Sequence, residues 1–116
     1  MSEQIEIPTV DVVEARRRTE AGAVLLDVRE PEEWAAGHAE GARWIPMGEI
    51  EVRLTELPTD GAGLVVMCRS GSRSGMVTQA LVRAGYDAAN IAGGMHAWAE
   101  AGFAVVTDAG TPGEVA

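Results

Sequence analysis

The chain contains no lysine: all nine basic residues among its 116 are arginine. Schiff-base chemistry and the phosphate-gripping lysine of a P-loop are therefore excluded. It holds a single cysteine, Cys68, so no internal disulfide can form. Two histidines, His38 and His96, cannot complete a four-ligand structural zinc site with that one cysteine. No metal or cofactor is expected. Positive charge is also scarce. Nine basic residues against eighteen acidic ones give a net charge of −9 at pH 7, which argues against a nucleic acid or an anionic membrane as partner. No apolar run approaches the ~20 residues that span a bilayer. The first residues place no basic stretch ahead of an apolar one, so no secretory signal is read there. A cytoplasmic setting, reducing enough to keep a free thiol working, is the expectation.

What is present suits one domain, because 47% apolar residues supply one modest core for a chain of this length. Ile5 and Ile7 alternate with polar neighbours as a short edge strand before Pro8. Thr9 is a helix cap, with Asp11 and Glu14 early and Arg16, Arg17 and Arg18 late, as the helix dipole prefers. Gly22 ends that helix. Val24 to Val28 is a strand, and Pro31 opens a short helix closed by Gly37. Ala42 to Ile45 is a third strand, and Met47 to Leu57 reads as a short helix. Leu64 to Cys68 is the strongest strand. A helix starting near Ser74 then carries Met76, Val77, Ala80, Leu81 and Ala84 on one face, ending at Gly85. Ala88 to Ala92 is a last strand, and Gly93-Gly94 turns into a helix running through Trp98. Apolar strands alternating with helices predict an α/β domain, residues 1–106, with a parallel sheet covered on both faces. Residues 107–116 read as a frayed tail.

The segment Cys68-Arg69-Ser70-Gly71-Ser72-Arg73 joins the strongest strand to a helix. Ligands of parallel sheets bind at the C-terminal ends of the strands, which is where this cysteine falls. Gly71 and the small serines let successive N–H groups turn toward the sulfur as an anion-binding nest. The helix end, Arg69 and Arg73 add positive charge. Together they push the thiol below its free value of ~8.5 and favour the thiolate, which is the nucleophile. They also suit a small anionic substrate. The competing reading makes Cys68 a small core residue and the loop an ordinary solvated turn.

Linked motifs extend beyond that loop: Leu25-Leu26-Asp27-Val28-Arg29-Glu30-Pro31-Glu32-Glu33-Trp34, Gly37-His38, Gly41-Ala42, Ile45-Pro46, and Gly93-Gly94 with Trp98. With the cysteine loop between them, the chain resembles a single-domain rhodanese, a sulfurtransferase, from Ile5 to Phe103. The resemblance implies a three-layer fold with about five parallel strands. It implies a catalytic Cys68 that cycles between thiolate and persulfide, cradled by the substrate-binding residues Arg69, Ser70, Gly71, Ser72, Arg73 and Ser74. A donor such as thiosulfate or a persulfide would supply the sulfur, and cyanide, a thiol or a protein acceptor would take it. Because the chain has no second cysteine, a persulfide must discharge to another molecule.

Two other readings share this architecture. Dual-specificity phosphatases that look similar have five residues between cysteine and arginine, whereas Arg73 follows Cys68 after four. The shorter loop disfavours a phosphatase or arsenate reductase. A non-catalytic binding or sensor module usually lacks the cysteine. Among the remaining residues, Asp27 and Arg29 read as a structural hydrogen-bond network rather than an acid–base pair. His38 reads as a structural loop residue and His96 as solvated. Trp34 and Trp98 read as packing residues, and Trp44 covers core at the sheet edge or walls the entrance. Ala39-Glu40 departs from the apolar-Pro pair usual in this family, which puts the local loop shape in question.

Overall fold

The apolar run at 64–67 is the centre of the molecule. A computed structural model describes residues 7–116 and places this run as a strand with neighbours on both sides. In chain order the elements are β1 (Thr9–Val10), α1 (Val12–Glu20), β2 (Val24–Asp27), α2 (Pro31–Ala36), β3 (His38–Ala39) and β4 (Arg43–Trp44). After two 3₁₀ turns come β5 (Leu64–Met67), α3 (Ser72–Arg83), β6 (Ala88–Ile91), α4 (Gly94–Glu100) and β7 (Val105–Val106). Five strands form one parallel sheet in the order β1-β6-β5-β2-β4. The remaining two, β3 and β7, pair antiparallel beside it.

Successive strand residues point to opposite faces, and β5 divides its side chains accordingly. Leu64 and Val66 join Leu26, Val28, Val77 and Leu81 beneath α3. Val65 and Met67 join Val12, Leu25, Ile91, Met95 and Trp98 beneath α1 and α4. All four β5 residues are buried, as a strand covered on both faces requires. The α/β three-layer architecture expected from the sequence is therefore present. Among the described residues no helix is long and apolar enough to cross a membrane.

Several local readings differ. Thr9 does not cap a helix but lies in β1, opposite Asn90. The cap is Asp11, whose carboxylate accepts from the Glu14 amide at 2.8 Å. Ile7 is in no strand, and the Ile5 half of the expected edge strand lies outside the described residues. Met47 to Leu57 is two 3₁₀ turns, Met47–Glu49 and Leu54–Glu56, rather than one helix. Gly48 and the β-branched Ile50, Val52 and Thr55 all disfavour a continuous α-helix there. On α3, Met76 is 58% exposed, whereas Thr78 is fully buried. Its hydroxyl satisfies itself on the Ser74 carbonyl at 2.7 Å, which lets it face the core. Residues after Val106 turn back on the domain: Gly113 N–H donates to Val105 O and Glu114 N–H to Ala36 O, both at 2.9 Å.

Candidate active site

β5 ends at Met67 and delivers Cys68 to the C-terminal edge of the sheet, between β2 and β6. The chain then curls through Arg69, Ser70 and Gly71 into the first turn of α3. Gly71 adopts φ +109°, a conformation that costs a glycine little and any other residue a good deal. With that twist its N–H donates to Cys68 Sγ at 3.1 Å. The two peptides before that amide are held from behind by their carbonyls. Met95 N–H donates to Cys68 O at 2.9 Å, and His96 N–H donates to Arg69 O at 3.1 Å. The first turn of α4 thus keeps the loop carbonyls facing away from the sulfur. Gly94 permits this contact, since a Cβ there would overlap the Cys68 carbonyl.

Cys68 is only 1% exposed. Burial alone pushes its thiol up, yet the Ser74 hydroxyl and the amides of Ser74, Gly71 and Ser70 together outweigh it. The thiol lies below its ordinary value. The bland alternative, a cysteine sealed in hydrocarbon, would lack these donors.

The two arginines of the loop do not both turn to the sulfur. Arg73 forms a two-pronged ion pair with Glu33 of α2, at 2.6 and 2.8 Å. That guanidinium, with help from the Glu30 amide, holds the Glu33 carboxyl at about 2 despite partial burial. Arg73 still senses charge on Cys68, but its positive charge is shared with Glu33. Arg69 is exposed and donates from Nε to Ala116 O at 2.7 Å. Ser70 and Ser72 are exposed, and Ser74 is fully buried within 3.3 Å of the sulfur.

Asp27 and Arg29 are both fully buried and pair with each other, Nη2 to Oδ2 at 2.8 Å and Nε to Oδ1 at 3.0 Å. Arg29 also donates to the Glu33 and Gly37 carbonyls. The pair therefore anchors α2 and the turn after it to the end of β2. Trp44 is half-buried, donates to Arg29 O at 2.8 Å and stacks on Trp34, which also stacks on His38. His38 binds the Trp34 carbonyl through Nδ1, and His96 is exposed on α4.

Two residues near the sulfur were not singled out from the sequence. Glu33 reaches the loop from α2, and Asn90 reaches it from β6. Asn90 Oδ1 lies 2.6 Å from Ser74 Oγ, and its Nδ2 donates to Gly71 O at 3.1 Å. A signal for Asn90 was present, since it is the one polar residue in the run Ala88-Ala89-Asn90-Ile91.

A parallel sheet that carries a cysteine into an amide-lined loop at its C-terminal edge defines a class of sulfur- and anion-handling α/β domains. The chain belongs to the rhodanese-like domain family, whose family model matches residues 10–101. It is 39% identical over 88 residues to a sulfurtransferase of Allochromatium vinosum, covering 75% of this chain and 81% of the relative. It is 31% identical to thiosulfate sulfurtransferase 18 of Arabidopsis thaliana, covering 92% of this chain and 89% of the relative. The crystal structure of a rhodanese-related protein from Thermoplasma volcanium superposes with a TM-score of 0.80 at 28% identity, covering 87% of this chain and 99% of that one. Family membership and these relatives support sulfurtransferase activity in general.

Proposed function

We propose that this protein transfers a sulfane sulfur from thiosulfate or a persulfide donor to a thiophilic acceptor through a persulfide on Cys68. The observation that carries the reading is the Gly71 amide aimed at the sulfur while the loop carbonyls are tied back to α4. Such a nest stabilises a negative sulfur atom, and it serves the thiolate and the persulfide alike.

In the first half-reaction the Cys68 thiolate attacks the outer sulfur of thiosulfate. A sulfur–sulfur bond to Cys68 forms, the bond to the sulfonate breaks, and sulfite leaves with the electron pair. In the second, an acceptor such as cyanide or a thiolate attacks the outer persulfide sulfur and restores the Cys68 thiolate. Neither step needs a proton transferred in the transition state, which fits a site whose buried carboxylate, Asp27, is committed to Arg29. A protein acceptor in a cytoplasmic setting belongs to the same proposal. The loop residues Arg69 to Ser74 act as the cradle, chiefly through their amides.

Intact-mass measurement after incubation with thiosulfate tests the reading, alongside thiocyanate formation on adding cyanide. The expected result is one added sulfur on wild-type protein, none on Cys68→Ser, and thiocyanate only with Cys68 present. Absence of both signals with thiosulfate, glutathione persulfide and mercaptopyruvate would favour the binding-module reading.

A further inference from the structure

Ser74 Oγ stands between two acceptors, Asn90 Oδ1 at 2.6 Å and Cys68 Sγ at 3.3 Å. A serine hydroxyl has one proton and can satisfy only one of them at a time. Ser74 is fully buried, so the choice is made within the protein. The Asn90 amide is oriented by its own bond to the Gly71 carbonyl. Turned over, it would set oxygen against oxygen at that 3.1 Å separation. Its Oδ1 therefore faces Ser74.

We propose that Asn90 is a positioning residue that holds the Ser74 hydroxyl proton while Cys68 is a thiol and yields it to the sulfur when Cys68 ionises. A neutral thiol is a weak acceptor and loses to an amide oxygen, whereas a thiolate is charged and draws the stronger bond. The hydroxyl turns between the two positions and keeps its proton throughout. The proton lost by Cys68 leaves to the buffer. Each thiolate thus forms at the cost of the Ser74–Asn90 bond, and Asn90 tempers how readily the sulfur ionises. A polar side chain in the otherwise apolar strand β6 has this use, and its Nδ2 bond to the Gly71 carbonyl, one peptide beyond the amide that faces the sulfur, fixes the orientation of the side chain itself.

Few other groups can imitate this effect. β5 and β6 carry no ionisable side chain. At the end of β2, Asp27 and the nearby Arg29 neutralise each other. From α3, Arg73 interacts with the Cys68 charge but is paired with Glu33 of α2, with Glu30 beside them. Arg69 of the loop and His96 of α4 are exposed.

The proposal rests on Cys68 as a reactive thiolate, but its test needs no sulfur donor, so it can fail or succeed independently of sulfur transfer. The pH dependence of Cys68 alkylation, with the ultraviolet absorbance of the thiolate, is measured in wild type, Asn90→Leu, Asn90→Ala and Ser74→Ala, and in each Asn90 variant combined with Ser74→Ala. Freed from its competing acceptor, Ser74 should raise the thiolate fraction about threefold to tenfold in both Asn90 variants at pH below the inflection, the equivalent of one hydrogen bond. In the Ser74→Ala background the same Asn90 changes should move the fraction less than about twofold, since the coupled bond is then gone. An unchanged or smaller thiolate fraction in the Asn90 variants would overturn the proposal. So would a rise that persists without the Ser74 hydroxyl. A purely structural loosening of the loop predicts one of those two results.

Discussion

Glu33 accepts both terminal nitrogens of Arg73, so the charge placed one turn from Cys68 is clamped to a carboxylate on α2. This pair links the loop to the segment that Arg29 also holds, through the Glu33 carbonyl. Releasing the clamp from either side should have opposite consequences. Glu33→Gln leaves Arg73 with its full charge near the sulfur, and KM for thiosulfate should fall relative to that for an uncharged sulfane-sulfur donor. Arg73→Ala should raise KM for thiosulfate more than for the neutral donor. Steady-state kinetics with both donors checks this, and equal changes across donors would remove Arg73 from any electrostatic role. Because Arg73→Ala also strands a partly buried carboxylate, it should cost about 1 kcal/mol of stability.

The same pair sets an acid limit. Glu33 has its folded value lowered to about 2 from the usual 4.5, chiefly by Arg73. A depressed carboxyl contributes stability that is complete above the unfolded value and is lost as pH falls through the folded one. Stability should therefore decline between about pH 4.5 and 2, and Glu33→Gln should flatten that part of the curve. Denaturant unfolding at a series of pH values would show it; an identical acid slope in the variant would count against the pair.

Reactivity of Cys68 should follow its donors. Alkylation rates in wild type should level off below the free-thiol value of ~8.5, because the hydroxyl and amides outweigh burial. Gly71→Ala forces a side chain into φ +109°, costing about 1–2 kcal/mol, and turns the aligned amide away. Its alkylation profile should shift to higher pH while the protein remains folded. A profile identical to wild type would show that the Gly71 amide contributes nothing to the sulfur.

Asp27 and Arg29 invite a harsher test. Asp27→Ala removes one partner of a fully buried ion pair and leaves the other without its counter-charge, at about 3–5 kcal/mol. Chemical denaturation should register a large loss of stability. If stability falls little while sulfur transfer disappears, the pair belongs to the chemistry rather than to the scaffold.

Much of the fold was legible because its signals are local. The apolar runs at 24–28 and 64–68, Pro31 at a helix start and Gly22 and Gly85 at helix ends act within a few residues of themselves. The loop's composition was legible for the same reason, since one glycine and small serines beside the sole cysteine announce a tight amide-rich turn. What escaped depends on contacts between elements far apart in the chain. Glu33 lies 40 positions from Arg73, and Asn90 lies 16 from Ser74, so neither contact leaves a pattern in the chain. Thr9 looked like a cap until its pairing with β6 claimed it for the sheet. The turn-back after Val106 depends on β7 finding β3, a match that Gly- and Pro-rich composition conceals.

Because the backs of the Cys68 and Arg69 peptides are fastened by Met95 and His96, the polarity of the cysteine loop is imposed from a point well downstream of the cysteine. A chain emerging from the ribosome would present this thiol before the segment that fastens its loop has been made. The final arrangement of amides around the sulfur therefore waits until α4 has docked.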